Sequence, residues 1–387
     1  MNLQEAINLV NENVVNFKSL PAIHKENKDL VLKVVKYDGY YLQYISNNLK
    51  KDKDIVLEAV KQNGFSLEFA DKSLKKNKNI IFETLMQNGY ALKYVDESFK
   101  KDKEIVMMAI KKYCFALEFA DEIIKKDKEV VLEAINQYGY VLKYAHDSLK
   151  KDEEVVLKAL KKNVFSLIYA DESLKKNKDF IIKALKVCKW GTFLEFISPE
   201  LKKDRDVVIE AVKQWGMSLQ FADDIFKKDK EIVLIAVKQY CNSLEFADSS
   251  LKKDKEIVLE AVKQNGYAFQ YAHKDLRKDK NFIIHSIKFS GNLLSYVDDS
   301  LKKDKEIVLE AVKQNGLALF HADQSLKKNK EVVLEAIKNN CYSIQYAHEN
   351  LKKDKEIVIS ALKINSYCIK FVHENFNKDP DVIAIIK

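Results

Sequence analysis

Two hydrophobic phrases alternate along almost the whole chain. The first is a dense block such as Ile55, Val56, Leu57, Ala59 and Val60; the second is shorter, as in FSLEFAD at Phe65–Asp71. The dense block is wider than a single amphipathic stripe, which predicts a helix buried between neighbours. An Asp or Asn precedes it, the residue type whose side chain accepts from the free N–H groups of a helix start. An acid often follows two residues later (Asp54, Glu104, Glu129, Glu256), where it suits the helix dipole. A glycine column (Gly39, Gly64, Gly89, Gly139, Gly191, Gly216, Gly266, Gly291, Gly316) closes the first helix, and it predicts a left-handed cap. In the second phrase Leu67 and Ala70 stand three apart, which fits a two-turn helix. Ser198-Pro199 at the corresponding later position reads as the start of one further turn leading to the next lysine pair.

The phrases recur with a fixed period. The Asp or Asn after each lysine pair falls at Asn27, Asp52, Asn77, Asp102 and onward to Asp379, in steps of 25 residues except for one of 27, between Asn177 and Asp204. The sixteen residues Leu251–Gly266 return unchanged at Leu301–Gly316. A helix–turn–helix unit of this size cannot bury its own apolar faces, but stacking on neighbours can. The expected fold is all-α, a right-handed-type α-solenoid of about fourteen such 25-residue repeats. Residues 1–26 are read as a divergent N-terminal cap, 27–378 as the repeat array and 379–387 as a C-terminal helix.

The phrase LKKDKEIVLEAVKQNGYAFQYAHKDL (Leu251–Leu276) resembles the tandem helical repeat family known as domain of unknown function 4116. The resemblance extends over nearly the whole chain. It implies a repeat module without an established activity, similar to modules in bacterial and eukaryotic multidomain proteins, some of them host-directed effectors. The chain departs from the glycine column at Cys114, Val164, Cys241, Cys341 and Ser366, where the turn is expected to change shape.

Composition narrows the chemistry. Apolar residues make up 47% and charged residues 32%, with only nine Gly and three Pro, which favours helix. No apolar run approaches membrane-spanning length and no secretory signal is evident, so a cytoplasmic setting is expected, with a secreted effector as the other option. Five cysteines without a CxxC pair argue against a disulfide framework and a zinc site. Nearly every polar residue belongs to a repeated column, whereas an enzyme needs a singular constellation. The expectation is therefore no catalytic set, no cofactor and no metal. His146, His273, His348 and His373 share the column of Asp71, where His and Asp both start the short turn.

The leading expectation is a non-enzymatic scaffold that binds another protein or peptide along a curved surface. The alternative is a nucleic-acid or anionic-surface binder using the lysine pairs (Lys50–Lys51, Lys252–Lys253, Lys302–Lys303), although acids in each repeat offset that ridge. The candidate binding residues are Tyr113, Tyr138, Trp190, Trp215 and Tyr240, aromatics in a column before the glycine that is otherwise mostly Asn and so reads as open to water; the alternative is that some of these rings fill space where the glycine turn is lost. The variable column at Glu68, Glu118, Ile168 and Phe320 is read as drift. The apolar segment at Asp379–Lys387 suggests end-to-end self-association, or a helix wedged into the last groove.

Nearest-neighbour stacking makes a prediction. Excision of Asp254–Lys278 removes one period and rejoins matching positions. Circular dichroism should still show a helical protein with a cooperative melt; loss of folding would contradict stacking.

Overall fold

The structure, a computed structural model, describes residues 1–188 and 193–386. The described residues are helical with no strand, and the chain forms two compact units, Met1–Lys189 and Trp190–Lys387. Both are built from one three-part module. At Asp52 it consists of an α-helix (Lys53–Gln62), a six-residue 3-10 helix (Gly64–Phe69) and a single 3-10 turn (Leu74–Lys76). In the C-terminal unit the same parts are Lys255–Gln264, Gly266–Tyr271 and Leu276–Lys278. The second element is thus a 3-10 helix rather than the expected short α-helix. The segment 1–26 is built the same way, from Leu3–Glu12, Val14–Ser19 and Ala22–Glu26, with Asn2 and Glu5 forming a capping box.

The anchor column caps the α-helices. The Asp52 carboxylate accepts from the N–H groups of Asp54 and Ile55, and Asp254 does the same for Glu256 and Ile257. Behind the cap, Ile55, Val56, Ala59 and Val60 are fully buried, as are Ile257, Val258, Ala261 and Val262 up to 1% exposure. Full burial of each Val or Ile contributes about 1.5–3 kcal/mol. Successive α-helices pack on one another within each unit, which supplies that burial.

The glycine column does not take the left-handed conformation: among the described residues no glycine has a positive φ. Glycine is needed there because the next repeat comes close. A Cβ on Gly89 would overlap the carbonyl oxygen of Ala109, one on Gly139 that of Ala159, and one on Gly64 would lie 2.8 Å from the Thr84 oxygen. The turn is also unchanged where glycine is replaced. Val164 and Cys114 begin the same 3-10 helix behind an extended residue at φ −157° in both cases. The adjustment falls on the next helix instead. Its last backbone hydrogen bond is 2.9 Å after Gly89 and Gly139 (Tyr113 to Ala109, Asn163 to Ala159). It is 3.2 Å after Cys114 (Tyr138 to Ala134) and 3.1 Å after Cys241 and Cys341 (Asn265 to Ala261, Asn365 to Ala361).

Three further kinds of link join neighbouring repeats. The N–H of Asp71 donates to the Lys50 carbonyl at 3.1 Å, and those of His273 and His348 donate to Lys252 and Lys327 at 2.9 Å. A side-chain amide clamps the preceding helix end: Gln87 accepts from the Gly64 N–H at 2.7 Å and donates to the Gln62 carbonyl at 3.2 Å. In many repeats the lysine just inside the α-helix pairs with the cap and first-turn acid of the following repeat, as Lys128 does with Asp152 and Glu154 at 2.8 Å. Burial opposes ionisation of Asp152, but the Lys128 ammonium and the helix N–H groups outweigh it and hold the carboxyl below its ordinary range. The hydrogen bond to Asp254, reinforced by Glu256, pushes Lys230 up to about 12.

The C-terminal helix Pro380–Ile386 is capped by Asp379, buries Val382, and pairs Lys355 with Asp379 and Asp381. All five cysteines are buried, and burial pushes the Cys188 thiol up to about 12. No helix among the described residues is long and apolar enough to cross a membrane.

Gly89→Ala is expected to destabilise the protein by about 1–3 kcal/mol through overpacking against Ala109. Chemical denaturation with an unchanged midpoint would show that the seam opens without cost.

Candidate binding surface

Many of the paired lysines are engaged within the protein. The first lysine of a pair folds back onto its own module: Lys75 donates to the Glu68 carbonyl at 2.7 Å, Lys252 to Glu245 at 2.6 Å and Lys327 to Phe320 at 2.7 Å. Burial lowers the proton affinity of Lys75 and Lys327. The second lysine faces the Asp that starts the next short turn, as with Lys76–Asp96 at 3.7 Å and Lys278–Asp298 at 3.6 Å. The four histidines of that column play the capping part expected of them. The ring Nδ1 of His146 accepts from the Ser148 N–H at 3.1 Å, and His273, His348 and His373 act alike.

The Asn column before the glycine has a structural task that its sequence reading as a solvent-open position missed. Asn63, Asn88, Asn163, Asn265, Asn315, Asn340 and Asn365 each accept from the N–H two residues on and cap the 3-10 helix. Tyr113, Tyr138, Trp215 and Tyr240 hold the same extended backbone and make no such bond. Each of these modules therefore forgoes a cap. Tyr113, Tyr138 and Tyr240 are 44%, 41% and 43% exposed, and Trp215 is half-buried. Tyr113 and Tyr138 belong to neighbouring repeats of the N-terminal unit, Trp215 and Tyr240 to neighbouring repeats of the C-terminal unit. Trp190 lies outside the described residues.

In the N-terminal unit the two tyrosines join a second aromatic column, the residue after the glycine. Tyr113 meets Tyr90 with ring centroids 5.5 Å apart and Phe115 at 5.4 Å; Phe115 meets Tyr138 at 5.7 Å, and Tyr138 meets Tyr140 at 6.2 Å. Phe65 extends the row beyond Tyr90 at 6.3 Å, and Tyr140 continues it to Tyr169 at 4.8 Å. Burial, then the contact with Tyr140, pushes the Tyr169 phenol up to about 12. A groove of about 460 Å³ opens along this row, lined by Phe65, Asn88, Tyr90, Tyr113, Phe115, Glu118 and Tyr144. Phe115 and Glu118 share it because side chains three apart eclipse on a 3-10 helix. The sequence did carry a signal for the second column. Tyr40, Phe65, Tyr90, Phe115, Tyr140 and Phe165 are aromatic in unbroken succession, whereas the later members include Met217, Asn242, Asn292 and Leu317.

The glutamates of the column read as drift have partners. Burial and the Glu118 charge and hydrogen bond raise the proton affinity of Tyr144, and Glu245 acts in the same way on Tyr271 in the other unit. Burial and Glu68 likewise raise the proton affinity of Tyr94.

An all-α chain of stacked modules with an aromatic outer face is a tandem helical repeat protein. The family comparison agrees: matches to the family described as Domain of unknown function (DUF4116) cover residues 27–75, 77–125, 127–175, 152–202, 177–227, 229–277, 279–327 and 329–377. The chain belongs to that family, and each match takes in about two of the modules described above. No curated protein matches the chain.

Tyr240→Asn supplies the missing cap to Cys241–Phe246 and should raise stability by about 0.5–1 kcal/mol. A denaturation midpoint lowered by the same amount or more would assign the ring to the core instead.

Proposed function

We propose that this chain is a non-enzymatic repeat scaffold that binds another protein, in the form of an extended peptide segment, along the aromatic row of its N-terminal unit. The observation that carries the reading is the exchange of a helix cap for an exposed ring at Tyr113 and Tyr138. A local choice that sacrifices stability marks a position held for another purpose. Exposed tyrosines set beside further rings are the residues that dominate interface energetics. A groove between 3-10 helices suits a narrow, extended ligand better than a flat domain surface. The recurrence of polar residues by column supports recognition rather than catalysis. A nucleic-acid partner finds less support: many of the paired lysines are engaged with carbonyls and aspartates of the protein itself, and a carboxylate stands in the aromatic groove.

The test is selection of displayed random peptides against the full chain. Enriched peptides should bind the unaltered protein and lose at least about tenfold in affinity with Tyr113→Asn, a typical loss for an interface anchor. The melting curve of that variant should stay close to the parent, because the new Asn caps Cys114–Phe119. Failure to enrich any peptide, or binding indifferent to this variant, would sink the reading.

A further inference from the structure

The groove is not only aromatic. Glu118 stands among Phe65, Tyr90, Tyr113, Phe115 and Tyr144, and this combination of rings and one carboxylate has a definite chemical preference. Ring faces carry negative quadrupole potential, so a cation held against several of them is attracted without losing its hydrophobic contacts. A carboxylate at the wall adds a full charge of the same preference and repels phosphate or carboxylate ligands.

We infer that the groove receives a cationic side chain, the ammonium of a lysine or the guanidinium of an arginine, carried by the bound peptide. The inference rests on the peptide-binding reading above and specifies what that site selects. Three details of the structure favour it. The carboxylate is in place, since Glu118 lines the groove together with Tyr144 of the next repeat. It is also not consumed by an internal ion pair. In the adjoining cleft Lys125 pairs with Glu122 at 3.0 Å and Lys150 with Asp147 at 3.1 Å, and among the described residues no salt bridge takes Glu118. Finally, Tyr144 already engages a cation in this manner, with the Lys143 ammonium 5.4 Å from its ring centroid, as Tyr94 does with Lys93 at 5.5 Å. Lys143 lines the adjoining cleft and not the groove itself.

The experiment uses the full chain and two small probes, tetramethylammonium and the uncharged tert-butanol, titrated by ligand-observed saturation-transfer NMR. The cation should bind about tenfold more tightly than the alcohol. Glu118→Gln, which removes the charge with little change of shape, should remove most of that difference and leave the alcohol unaffected. Tyr113→Asn should weaken the cation, whereas Tyr240→Asn in the other unit should leave it unchanged. No saturable cation binding, equal affinity for the two probes, or binding indifferent to Glu118→Gln overturns the inference. The displayed peptides separate this outcome from failure of the peptide reading. Peptides that dock at Tyr113 without an essential Lys or Arg refute the cation preference alone. Glu118-dependent tetramethylammonium binding without any selected peptide supports the cation site and refutes the peptide reading alone.

Discussion

The start of each 3-10 helix lies directly against the carbonyl that ends the α-helix of the next repeat, and this approach sets the spacing of everything else. It favours small side chains on both partners, with Val164 the bulkiest residue at the approaching position. The approached residue is Ala59, Ala109, Ala159, Ala236, Ala311 or Ala336, with Thr84 as a larger exception, and the approaching one is glycine at most of these junctions. Because backbone meets backbone, the apolar faces of adjacent α-helices come into full contact and Val56, Val131 or Val258 lose all exposure. Cysteine at Cys114, Cys241 or Cys341 is accommodated by a small lengthening of the neighbouring hydrogen bond rather than by a new turn. The seam therefore yields by tenths of an ångström, and the module survives intact.

The charged residues follow from that spacing. Once modules are held at a fixed offset, a lysine one residue inside a helix is brought to the cap of the following helix. Thus Lys128, Lys230, Lys280 and Lys330 find the same pair of acids one module on. Exposed pairs of this kind contribute little individually. Their repetition has another effect: it neutralises, module by module, a chain whose net charge of +8 is spread over 66 basic and 58 acidic residues. What is left at the surface as distinctive is the row of rings.

Much of the architecture was legible in the sequence because its causes are local or strictly periodic. The caps at Asp52 and Asp254, the buried helices behind them and the stacking all follow from residue type and a 25-residue spacing. The glycine column was misread because two different constraints select the same residue. A left-handed cap and a close backbone approach both call for glycine, and only the position of the next repeat distinguishes them. Likewise Asn63 and Asn88 look like solvent-exposed polar residues until the 3-10 helix they cap is seen. The aromatic surface was half legible. Tyr113 and Tyr138 stand out against a column of asparagines, but Tyr90 and Phe115 sit in a column where apolar residues look like ordinary core. Their union into one row depends on how a 3-10 helix turns, which hydrophobic periodicity alone does not specify.

The uniform junction also bears on how such a gene changes. Leu251–Gly266 and Leu301–Gly316 are identical in sequence and occupy identical places in their modules, so recombination between their coding segments deletes or duplicates whole modules in phase. Every new junction brings a small residue against a helix-ending carbonyl, a lysine against the next cap and an N–H against the preceding carbonyl. A change of array length in such steps keeps the pattern of junctions, while the aromatic row is confined to particular modules.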